Sequence, residues 1–87
     1  MMVRDEVVEI IRSSRREGKT PDLSQLDLNS INLSEVDLRG VNLNGANLQG
    51  ADLRGANLLR ANLTGADLSK AKLAGAKWHG AILTARI

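Results

Sequence analysis

Cysteine is absent from the 87 residues, so the chain has neither a disulfide framework nor thiol chemistry. With a single histidine, His79, and no cysteine to join it, the usual zinc ligand sets are not available. The only aromatic residue is Trp78. Base stacking needs aromatic faces in series, and no nucleic-acid partner is expected. No apolar run approaches the roughly twenty residues of a membrane span. The first twenty residues carry charges throughout and contain nothing like the apolar core of a signal peptide, so no membrane partner and a cytoplasmic location are expected. Net charge at pH 7 is only +2.

What the chain has is a repeat. From Pro21 to Ala85 it runs in thirteen blocks of five, PDLSQ, LDLNS, INLSE, VDLRG and so on to AILTA. The first and third residues of each block are apolar, and the second is usually Asp or Asn. A period of five fits neither an amphipathic helix nor a strand of strict alternation, so the chain must turn once per block. First and third residues lie two apart, which in a short extended segment sends both side chains to one side. Seven blocks end in Gly, among them Gly40, Gly55 and Gly75, where a type II turn requires positive φ. A flat side and a corner in every block wind the chain into a solenoid. The glycines recur as corners, not as a single loop opening a helix, so no phosphate-binding loop and no cofactor site are read from them.

The recurring block A(D/N)LxG resembles the pentapeptide-repeat proteins, and the resemblance extends over residues 21–85. It implies an all-β fold, a right-handed quadrilateral β-helix with four blocks per coil. On that geometry the chain makes about three coils and one further side, and residues twenty apart stack in columns. The third positions form the interior: Leu28, Leu48 and Leu68; Leu33, Leu53 and Leu73; Leu38, Leu58 and Trp78; and Leu43 and Leu63 between Leu23 and Leu83. First positions are large early, at Leu26, Ile31, Val36 and Val41, and Ala from Ala46 onward. The early interior therefore has apolar volume ready to meet something. Second-position Asp and Asn, with short side chains that bond nearby backbone, are assigned to bracing the corners.

Residues 1–20 do not repeat. Val3, Val7, Ile10, Ile11 and Ser14 follow one face at helical spacing, acids come early, bases come late, and Gly18 stops the run. This predicts an amphipathic helix and linker that caps the first coil, ahead of the solenoid at 21–85 and a tail at 86–87.

Charge within the solenoid balances and is graded, acidic near its start and basic towards its end. Lys70, Lys72 and Lys77 suit a role guarding an open edge. His79 points outward with no acid in its block, so no catalytic residues are assigned and the chain is read as a non-enzyme. The expected function is structural or interactive, a rigid flat face offered to a protein partner. Leu59, apolar at an outward position between Arg39 and His79, is the candidate contact. Some pentapeptide-repeat proteins act as duplex-DNA mimics that bind gyrase and confer quinolone resistance, which supplies an alternative. Those proteins are longer and strongly acidic, and this chain departs on both counts. Small members with a short N-terminal helix are abundant in cyanobacteria, the group this chain resembles most. A monomer is narrowly favoured over a dimer joined end to end through Trp78, Ile82 and Ile87.

Overall fold

The computed structural model describes residues 1–87. Helix α1 spans Arg4–Arg16, with Asp5 and Glu6 in its first turn and Arg15 and Arg16 in its last, each sign placed where the helix dipole favours it. Val3 offers no side-chain acceptor, but its N–H donates to Glu6 Oε1 at 2.9 Å, which ties the first turn back to its start. At the other end Lys19 N–H donates to the Ser14 carbonyl at 2.9 Å and Gly18 N–H to the Arg15 carbonyl at 3.1 Å. With Gly18 at φ 70 this is a Schellman motif, and it turns the chain out of the helix.

Beyond Gly18 no segment is long enough to make a continuous strand. Each side contributes one parallel bridge through its second residue, to the second residue twenty positions on: Asp22 to Asn42, Asp27 to Asn47, Asn32 to Asp52. The bonds around each bridge repeat in kind. Leu23 N–H donates to the Asn42 carbonyl at 2.8 Å, and Asn42 N–H to the Pro21 carbonyl at 2.9 Å. At the corners the first residue of a block donates to the third of the block before, as Ala51 does to Leu48 at 3.0 Å. Four such corners return the chain to its starting column, which makes the solenoid four-sided.

Fifth residues from Gln25 to Gly80 take φ between 59 and 73. Gly adopts this freely; Gln25, Ser30, Glu35, Arg60 and Lys70 do so at a cost in backbone strain. Where a long residue stands at a corner, the next one in its column is Gly. The Glu35 carboxylate fills the place that a Cβ on Gly55 would take, and Gln25 does the same over Gly45.

The braces are regular. In ten successive blocks, from Asp22 to Asp67, the second residue's Oδ1 accepts the backbone N–H of the fourth, at 3.0 Å from Ser24 to Asp22 and 3.2 Å from Leu59 to Asn57. The series ends where Lys72, Lys77 and Ile82 take that position, because none of them carries the acceptor.

The interior is one cluster. Leu23, Leu28, Leu33, Leu38, Leu43, Leu48, Leu53, Leu58, Leu63 and Leu68 are all buried, and Val7 and Ile11 of α1 join them. The large first-position residues Ile31, Val36 and Val41 belong to the same cluster. They fill the end of the interior over which α1 lies. The expected apolar face of α1 is narrower than its spacing suggested, since Val3 remains 54% exposed.

At the far end three of the assigned interior residues differ. Leu73 and Trp78 are only half-buried against the cluster, because no residue of the chain stacks above them. Leu83, assigned to the interior by its place in the block, is 42% exposed, and Ile87 is 74% exposed. Register changes here as well. Arg86, placed by the repeat in a tail, bridges Asp67 at a separation of nineteen. Thr84 keeps a fourth-position bond, accepting from Gly65 N–H at 2.9 Å, while Arg86 N–H makes the second-position bond to the Ala66 carbonyl at 2.8 Å. The last corner has lost one residue, and Ala85 opens a further side.

Candidate functional site

The bridges assign every outward residue to one of four faces. One face carries Asp37, Asn57 and Lys77 at its bridging positions, Arg39, Leu59 and His79 beside them, and Gly40, Arg60 and Gly80 at its corner. Three cations stand there against one carboxylate. The side that follows, with Ser24, Asn44 and Thr64 outermost, bears no Lys or Arg. Charge is thus sorted around the solenoid axis as well as along it.

Leu59 lies on the basic face, half-buried despite its outward position. Together with Arg15, Arg39, Gly40 and Arg60 it lines a hollow of about 310 Å³. Gly40 N–H donates to the Leu59 carbonyl at 2.9 Å, and a Cβ on Gly40 would meet nothing within 4 Å, so the glycine leaves the hollow open beside Leu59. Leu59 N–H is held by Asn57 Oδ1, which fixes the backbone from which the side chain projects.

The cations differ in how they are engaged. Arg39 grips Asp37 with two bonds, Nε to Oδ1 and Nη2 to Oδ2, each 2.8 Å. Arg15 reaches across from α1, donating to the Arg39 carbonyl at 2.8 Å and standing 3.3 Å from Asp37 Oδ2. Asp37 is held below the usual carboxylate range, first by its hydrogen bond from Arg39 and further by the charge of Arg15. The Arg60 guanidinium makes no hydrogen bond or ion pair, although its backbone N–H donates to the His79 carbonyl at 2.9 Å. The hollow therefore presents one free guanidinium, two that share a single carboxylate, and an aliphatic side chain between them.

Column counting places Leu59 between Arg39 and His79, and the structure keeps it there. It does not disclose Arg15, whose presence depends on how α1 lies on the first coil, and only the docked helix brings it to the hollow. His79 is exposed on the same face and meets no acid. No three His, Asp or Glu side chains converge to hold a metal. No helix is long and apolar enough to cross a membrane.

The family model described as pentapeptide repeats matches residues 22–58 and 61–85. Among solved structures, a pentapeptide-repeat protein from the Arabidopsis thaliana thylakoid lumen is similar at 42% identity and a TM-score of 0.70, over 74% of this chain and 45% of that one. A pentapeptide-repeat protein from the cyanobacterium Cyanothece is similar at 38% identity and a TM-score of 0.58, over 75% of this chain and 52% of its own. The chain spans about half the length of these relatives. No curated protein matches it. The four-sided solenoid is the right-handed quadrilateral β-helix these relatives imply, and on that fold and the family match the chain belongs to the pentapeptide-repeat family.

Proposed function

We propose that this chain is a non-catalytic interaction module, a solenoid of about three coils that offers the face carrying Leu59 to a protein partner. The observation that carries the proposal is Leu59 itself, a large aliphatic side chain in an outward position, set in a hollow whose other walls are three arginines and Gly40. Interfaces concentrate apolar contact at their centre and favour Arg around it. A stacked solenoid suits the task, since its sides are held by backbone bridges and lose little freedom when a partner docks. A cytoplasmic location belongs to the same proposal, and cell fractionation tests it.

The DNA-mimic alternative requires rows of carboxylates along a face. No such row exists here, and the one face with a strong sign is basic.

A photo-crosslinking residue placed at His79, and separately at Thr64 on the side without cations, tests the reading inside the native cell. The His79 position is expected to capture one partner that the Thr64 position does not. Capture of the same set of proteins from both positions, or of none from either, overturns the proposal.

A further inference from the structure

We infer that the contact face continues into a groove beneath α1, and that the two together take an acidic peptide segment with an aliphatic anchor. The inference rests on the interaction-module reading above and names the chemistry of the partner.

A second hollow, of about 340 Å³, lies between α1 and the side that begins at Val36. Val8, half-buried, is the apolar side chain it leaves most open, with only the edges of the buried Ile11 and Val36 reaching its floor, and Arg4, Arg12 and Arg15 stand around it. Arg15 also lines the hollow around Leu59, so the two adjoin. Arg4, Arg12 and Arg15 fall on one side of the helix by their spacing. The helix acids Asp5, Glu6 and Glu9 do not line either hollow.

Across both, five arginines face a single carboxylate, Asp37. Arg4 is occupied by the Asn32 carbonyl and Oδ1, both at 3.3 Å. Arg15 and Arg39 share Asp37, while the guanidinium groups of Arg12 and Arg60 have no hydrogen-bonding or ionic partner. Guanidinium forks match carboxylates in two-point geometry, and a surface with this excess gains most from a partner that brings acids. The apolar floor and Leu59 ask for aliphatic side chains between those acids. From Arg4 to Arg15 the helix rises about 16 Å. An extended segment of about five residues spans that length, with a few more needed to reach Leu59.

Other anionic partners fit less well. Duplex DNA would leave the apolar floor unfilled, and the surface offers no aromatic side chain to stack on a single strand. A bilayer surface needs a broad apolar helix face turned outward, whereas Val7 of α1 is wholly buried and Ile11 shows only an edge to the groove.

The test measures fluorescence anisotropy of a labelled short peptide in which several Glu flank two Leu, with wild-type protein and two double variants. Saturable binding that weakens with added salt is expected. Arg12→Glu with Arg60→Glu is expected to weaken it about tenfold or more through charge reversal at the groove. Lys70→Glu with Lys72→Glu, on other sides of the solenoid, is expected to leave it unchanged. Glu is already accommodated at a positive-φ corner at Glu35, and thermal melting of each variant verifies folding. Absence of peptide binding overturns the inference, as does equal loss in both double variants. Tighter binding to duplex DNA or to phosphatidylserine vesicles overturns it too. If the His79 crosslink captures one partner whose contacting segment carries no acids, the interaction module stands and the acidic-segment inference falls.

Discussion

Leu53 and Leu73 occupy the same column, twenty residues apart, each following an Ala two positions earlier. Leu53 is wholly buried, whereas Leu73 is half-exposed. The same contrast separates Leu58 from Trp78. Asp52 and Asn57 brace their corners, whereas Lys72 and Lys77 at the matching places cannot. In a stacked solenoid a residue's burial comes from the coils on both sides of it, so identical positions carry unequal energies. The sequence relaxes where the burial does. α1 supplies the missing neighbour at one end, and at the other the chain has only its half-buried side chains.

Removing α1 makes the covered end resemble the uncovered one, and this should have the largest effect. Deletion of residues 1–17 is expected to expose the first coil and cause self-association, seen as increased light scattering and a lower melting temperature. A truncated protein that stays monomeric and equally stable would show that α1 does not stabilise this end.

Truncation within one column sharpens the contrast directly. Leu53→Ala is expected to cost about 2–5 kcal/mol in chemical denaturation, because the coils on either side cannot collapse into the gap. Leu73→Ala should cost less than half as much, its neighbours being free to relax. Equal costs would break the comparison.

The corner braces come next. Asn57→Ala removes the acceptor for Leu59 N–H and is expected to cost about 1 kcal/mol. Lys77→Asn restores the brace at the next position in the column and should stabilise by a few tenths to about 1 kcal/mol. Denaturation midpoints measure both; destabilisation by Lys77→Asn would mean that the lysine is held for a reason other than lost repetition.

Acid titration should produce the smallest effect. Asp52 is lowered from 3.8 to about 2, chiefly by the hydrogen bond from Arg54, and Asp67 to about 2 by the Ser69 hydroxyl and then Gln49. A carboxyl whose pKa falls on folding stabilises the fold above its unfolded value, and that contribution erodes as pH drops from 3.8 towards about 2. Melting temperatures should decline across this window. Asp52→Asn should decline less steeply, and an unchanged slope would show that Asp52 contributes nothing to the acid sensitivity. No equivalent carboxylate follows Asp67, because Lys72 and Lys77 take the next two bracing positions.

Much of the architecture was legible from single blocks. Apolar residues two apart, a short acceptor between them and a Gly at the corner specify inward, bracing and turning roles without reference to the rest of the chain, and Leu28 through Leu68 sit where that logic puts them. Leu73, Trp78 and Leu83 did not follow, because the inward direction of a side chain is local but its burial is not. Arg86 joined the ladder despite falling outside the period, since a deleted corner residue leaves no mark in a sequence that has already begun to vary. At the candidate site Leu59 was visible as an exception to a polar position. Its surroundings were only partly so: Arg39 follows from counting by twenty, while Arg15, Arg12 and Arg4 belong to a segment that does not repeat.

The sequence by itself determined the repeat, a turn in every block and which side chains face in, because each depends only on a five-residue pattern; four blocks to a coil was what the family resemblance implied. The tertiary structure alone decided where α1 lies, and therefore which side of the solenoid gains Arg4, Arg12 and Arg15 and the groove beside them. Helix position depends on how Val7 and Ile11 meet Ile31, Val36 and Val41, a contact between segments of different period. No repeat relates their numbering, and only packing brings five arginines around Leu59 and the groove beside it.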